Sequence, residues 1–127
     1  MASEGLHEPA EKLSAKTIDY HRAMVSLMEE LEAVDWYRQR ADDCDDAELK
    51  AILLHNMREE IEHACMLLEW LRRNETEWAE QLDAYLYTEA PITEVEESKT
   101  GGGEAASGSD AAGSKPVRRF TVGPLKE

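Results

Sequence analysis

Apolar residues recur three and four positions apart along the first part of the chain, and no Gly or Pro interrupts them between Pro9 and Gln39. Tyr20, Met24, Leu27, Leu31 and Val34, with Ala23 beside them, fall on one side of a helix. The segment Ala41-Asp-Asp-Cys-Asp-Asp46 then breaks the pattern. Asp45 is placed to cap a second helix, with Glu48 at its third position as in a capping box, and acids suit that positive end. The second helix runs from about Asp46 to Arg73 on a stripe of Leu49, Ile52, Leu53, Asn56, Ala64, Leu67 and Leu71. Arg72 and Arg73 suit its negative end. Asn74 followed by Glu77 marks a further cap, opening a shorter helix with Trp78, Leu82, Tyr85 and Leu86, for which Pro91 sets the latest end.

Two long helices with a short connection form an antiparallel hairpin. A hairpin alone cannot enclose its own apolar stripes, whereas two hairpins facing each other form a four-helix bundle that can. The spacing is not a strict heptad, which argues against a plain coiled coil. The pattern therefore predicts an all-α fold: an antiparallel two-helix hairpin plus a short third helix, completed as a four-helix bundle by dimerisation.

Composition changes this picture at the ends. Residues 98–115 (SKTGGGEAASGSDAAGSK) are almost free of large apolar groups and cannot bury enough surface to offset their ordering entropy. A short apolar segment, Val117 to Leu125, follows. The expected organisation is a flexible N-terminus over 1–7, a helical domain over 8–96, a flexible linker over 97–115 and a separate terminal peptide over 116–127. The formal net charge is −14. Residues 98–127 carry five Lys or Arg and three acids, a net +2, which leaves −16 on the rest. An acidic body repels nucleic acid and anionic membranes and attracts cations, so neither nucleic acid nor membrane is an expected partner. No apolar run is long enough to span a bilayer, and no basic-then-apolar N-terminus points to secretion. Cys44 and Cys65 lack metal-ligand spacing and fit free thiols in a reducing cytosol.

The residues that do not belong in a core carry the chemistry. Glu60 and His63 share the stripe of Leu53, Asn56, Ala64 and Leu67, which places a carboxylate and an imidazole one turn apart on a core-facing side. A carboxylate withdrawn from water needs a positive partner. Lys and Arg are absent from that stripe between Leu49 and Leu71, which leaves a metal ion. Glu60-Ile-Glu-His63 is Glu-x-x-His, the unit that ferritin-like di-iron proteins use twice, together with one Glu from each of two further helices. Glu30, at the edge of the first helix's stripe, would be the single Glu. One chain thus supplies half of a di-metal site, and the dimer that closes the core also completes the site.

Taken singly, His63 reads as a hydrogen-bonded core histidine and Glu30 as a surface acid; their joint placement with Glu60 on the two long helices favours a metal. A carboxylate-rich set with one imidazole per metal suits iron or manganese better than copper and is compatible with zinc. Tyr37, two turns after Glu30 on the same edge, either touches the site or packs half-buried beside it. Glu29, Glu32 and Trp36 lie on another face, where the two acids either gather metal or form an ordinary solvated patch. His7, His21 and His55 fit no pattern.

At this point the residues resemble the encapsulated ferritins, the ferroxidase cargo of encapsulin shells. The resemblance covers about residues 7–93 and rests on MEELEAVDWY (Met28–Tyr37), REEIEHA (Arg58–Ala64), LEWLRRN (Leu68–Asn74) and YLYTEAPIT (Tyr85–Thr93). It implies five dimers in a ring of ten subunits, with a di-iron site at a dimer interface. Glu30, Glu60 and His63 would be iron ligands, Tyr37 would lie close to the iron, Trp36 would sit adjacent without being a ligand, and Glu29 and Glu32 would form a lower-affinity uptake site. Phe120-Thr-Val-Gly-Pro-Leu125 is similar to the family's encapsulation peptides, which anchor cargo to the inner shell wall, although Pro124 departs from the small polar residue expected there.

The sequence is accordingly read as a ferroxidase that oxidises Fe(II) to Fe(III) inside a cytoplasmic encapsulin compartment, where the shell stores the product. The rival readings are another di-metal carboxylate enzyme, such as a rubrerythrin-like peroxidase, and a non-enzymatic helical scaffold.

Overall fold

The computed structural model describes residues 5–101. Residues 1–4, the expected linker beyond residue 101 and the expected shell-docking peptide over 116–127 lie outside the described residues. The described part is all-helical, as the periodicity predicts.

Helix α1 spans Ala15–Asp42 and α2 spans Ala47–Asn74, each of 28 residues, or about 42 Å of rise. They pack against each other as a long antiparallel hairpin. The start of α1 differs from the expected Pro9. A 3-10 turn occupies Ala10–Lys12, Leu13 is extended, and Ser14 caps the helix by accepting the Thr17 N–H at 3.0 Å. Apolar spacing cannot see such a break, because it contains no Gly and its only Pro is tolerated at a helix start. The α2 cap also shifts by one residue. Asp46, not Asp45, accepts the Leu49 N–H at 2.9 Å, which leaves Glu48 in the first turn where its charge suits the helix.

Asn74 does not cap the third helix. It is the last residue of α2, and its side chain donates to the Trp70 carbonyl at 2.9 Å. Extended Glu75 ends α2, and α3 follows over Thr76–Tyr85. Tyr87 then adopts φ 66°, a left-handed conformation unusual for an aromatic residue, while Thr88 Oγ1 donates to the Tyr85 carbonyl at 2.7 Å. Helix α4, Ile92–Gly101, was not expected. Pro91, read as a terminator, also starts this helix: its carbonyl accepts from the N–H groups of Glu94 and Val95. The end of α4 therefore enters the segment expected to be linker.

The chain packs as two units that divide after Ala79. In the first part the core is small: Ala23 and Leu27 from α1 meet Ala64 and Leu71 from α2, with Tyr20, Met24, Leu67, Leu68 and Trp78 packed around them. The Trp78 indole donates to the Tyr20 hydroxyl at 3.0 Å, which ties the start of α3 to α1. At the end of α2, Glu69 is bridged by Arg72 and then Arg73, which hold its carboxyl down at about 2. Leu71 is fully buried, so Leu71→Ala is expected to cost about 2–5 kcal/mol, read as an earlier thermal midpoint by circular dichroism.

Several stripe residues remain uncovered. Leu31 is 54% exposed, Leu49 48% and Ile52 51%, because the line of contact between two helices is narrower than the apolar stripe on each. Ile52, His63 and Trp70 recur at helical spacing on one side of α2, so exposed apolar residues flank the histidine in both directions along the helix.

Candidate metal centre

One turn of α2 separates Glu60 from His63, and the hairpin brings Glu30 of α1 to the same place. A carboxylate oxygen from each glutamate and a ring nitrogen of the histidine lie within 4.8 Å of one another. His63 Nδ1 faces both acids, 3.3 Å from Glu60 Oε1 and 3.5 Å from Glu30 Oε1. These are ion-pair distances, long for good hydrogen bonds. Buried Glu30 Oε1 has no hydrogen-bond partner among the described residues. The side chains are withdrawn from water but not enclosed: Glu30 is 24% exposed, Glu60 25% and His63 44%. This partial exposure is what a single hairpin, unable to enclose its own stripes, leaves on the core-facing side of α2.

The electrostatics follow from crowding two acids beside one base. The contact with Glu60, then burial, raises the Glu30 carboxyl, while the contact with Glu30 lowers Glu60. Burial of the His63 ring acts downward. The hydrogen bond to Glu60 and the two negative charges together outweigh it, so the imidazole is raised above its ordinary value. Without metal, the two neighbouring acids therefore favour the protonated form of His63. Its contribution to stability is full below the unfolded histidine pKa and is lost as pH rises through the raised folded one. Two carboxylates and one imidazole, with an orphaned buried oxygen and no Lys or Arg among their partners, fit a divalent cation.

The remaining expected site residues are spread along α1. Tyr37 is half-buried two turns beyond Glu30. Glu29, Glu32 and Trp36 are exposed and are not part of the convergence; Glu29 lines an open groove of about 430 Å³ with Leu6, Ile18 and Val25. Sequence reading missed Arg40, whose guanidinium lies over the Tyr37 ring at 5.2 Å, although the three-residue spacing makes that pair legible.

A helical hairpin with a Glu/His group able to hold a metal ion defines a protein of the ferritin-like class. The chain belongs to the EncFtn-like family, whose profile matches residues 5–89. It is 57% identical over 116 residues to an encapsulated ferritin-like protein of Rhodospirillum rubrum, covering 88% of this chain and 83% of the relative. A ferritin-like protein of Thermotoga maritima is 53% identical over 102 residues, 80% of this chain and 90% of that one. An encapsulin nanocompartment cargo protein of Myxococcus xanthus, EncC, is 35% identical over 107 residues and 80% of each chain. The crystal structure of a Nitrosomonas europaea protein superposes with a TM-score of 0.67 at 57% identity, covering 69% of this chain and 97% of that one. No helix among the described residues is long and apolar enough to cross a membrane.

Proposed function

We propose that the protein is a ferroxidase whose di-iron site is completed by a second copy of the chain, and that it works as cargo of an encapsulin shell. The observation that carries this reading is the convergence of Glu30, Glu60 and His63 on a face left uncovered by its own fold. One chain brings three donors, too few for two iron ions; a two-fold partner brings the same three again. The apolar residues Ile52 and Trp70, on the same side of α2 as His63, give such a dimer its driving force. Dimers would then assemble into a ring of ten.

In the dimer, Glu30, Glu60 and His63 of both chains would together hold the two metal ions. The reaction would take one electron from each of two ferrous ions, and dioxygen would accept both with two protons from solvent and leave as hydrogen peroxide. The chain's part is electrostatic: four fixed carboxylates favour the higher charge of ferric iron, and the flanking apolar groups limit water. Glu29 and Glu32 would collect cations from solution, with Trp36 beside the route. A peroxidase acting on the same site would consume hydrogen peroxide faster than dioxygen, and stopped-flow oxidation with each oxidant separates the two. Crystals grown with ferrous salt should show two anomalous iron peaks between paired Glu60 side chains; a single peak, or none, would remove the di-iron assignment.

Assembly should respond to the metal. Metal-free faces bring two acid pairs together, whereas bound cations neutralise them, so ferrous iron binds the dimer better than the monomer and shifts the population upward. Native mass spectra across a ferrous titration should show monomer giving way to dimer and larger rings. An unchanged distribution would count against a shared site.

A further inference from the structure

Tyr37 and Arg40 stand one turn apart on α1, and the guanidinium carbon lies 5.2 Å from the ring centre, within cation–π reach. Two further observations give the contact meaning. Arg22, Arg72 and Arg73 each pair with a carboxylate, whereas Arg40, like Arg38 and Arg58, has no such partner among the described residues and alone of these three lies over an aromatic ring. The Tyr20 hydroxyl accepts from Trp78, whereas the hydroxyl of half-buried Tyr37 has no hydrogen-bond partner among the described residues. The tyrosine is thus held through its ring face, and its polar end remains uncommitted. It stands on the same edge of α1 as Glu30, two turns farther along.

We propose that Arg40 is a positioning residue for Tyr37: its guanidinium holds the phenol ring on the edge of α1 that carries Glu30, leaving the hydroxyl free for the metal site. This rests on the reading of Glu30, Glu60 and His63 as metal-binding residues. Arg40 itself touches neither metal nor substrate. A planar guanidinium stacks on a ring as an ammonium does not, so lysine at position 40 preserves the charge but only part of the ordering.

The test uses the full chain with fluorotyrosine at its four tyrosines, the Tyr37 resonance being assigned as the one lost in Tyr37→Phe. In metal-free protein, Arg40→Gln should move and broaden that resonance and leave the other three in place, with Arg40→Lys intermediate. In the iron-loaded oligomer, Arg40→Gln should lower kcat for ferrous oxidation about two- to fivefold, as expected for an exposed cation–π contact, with little change in KM. The loss should vanish in a Tyr37→Phe background. An unmoved Tyr37 resonance would overturn the proposal, and so would an equal loss of kcat with and without Tyr37, since Arg40 would then act through its charge alone. Failure of the site reading has a separate signature: parent and variant alike would take up no iron, while the fluorine spectra would still differ.

Discussion

Replacing Glu60 or His63 with alanine should remove paired iron binding and lower ferrous oxidation by more than about a hundredfold, with helical content at the parent level. The size follows from position. Loss of residues that merely support metal ligands already costs about 10–100-fold in affinity or activity, and a two-fold site loses both copies of a direct ligand at once. The helices survive because neither side chain belongs to the packed cluster of Ala23, Leu27, Ala64 and Leu71. Glu60→Ala also leaves only one carboxylate beside His63, which relieves the crowding of the metal-free chain. The parent's iron affinity should fall as pH drops, starting above the ordinary imidazole pKa of about 6.5, because a proton held on raised His63 must leave before metal binds. Glu32→Ala should slow uptake yet leave the centre able to react. Isothermal titration with ferrous iron, beside stopped-flow oxidation, reads all of these. Glu60→Ala oxidising iron at the parent rate would end the proposed mechanism.

Deleting residues 117–127 should leave the proposed oligomerisation and ferroxidase activity of the isolated protein nearly unchanged and abolish copurification with a co-expressed shell protein. A Gly/Ser-rich tether of roughly fifteen residues, between the end of α4 and position 117, transmits little strain to the body it follows. Capture should depend mainly on Phe120, Val122 and Leu125, because a short docked peptide draws its affinity from a few buried anchors. A fluorescent protein carrying only residues 115–127 should in turn be captured. Efficient packaging of the tailless chain would show that loading runs through the helical body, and the addressing role would fall while the chemistry stood.

Local signals account for what was legible in advance. The period of Tyr20, Met24 and Leu27, and that of Ala64, Leu67 and Leu71, is a property of a helix by itself, so the two long helices could be read without knowing what they pack against. The spacing of Glu60 and His63 is likewise internal to one helix, which is why that pair stood out. Boundaries were harder, because neighbouring residues compete for the same role. Asp45 and Asp46 can both cap a helix, and the loop geometry selects Asp46; Asn74 can cap α3 or extend α2, and its bond to the Trp70 carbonyl settles it within α2. Pro91 ends one helix or begins another, and only the bonds from Glu94 and Val95 to its carbonyl decide which.

The sequence by itself determined the helical class, the hairpin, the excess of negative charge and the identity of the unusual polar residues, since each depends on order and spacing along one chain. The tertiary structure decided that Glu30 meets Glu60 and His63, because convergence between two helices depends on their relative register and rotation, which no single period encodes. It also decided which apolar residues stay uncovered. Leu31, Leu49 and Ile52 have the same hydrophobic character as Leu27 and Leu71, and only the line along which α1 meets α2 separates the core from the exposed apolar surface.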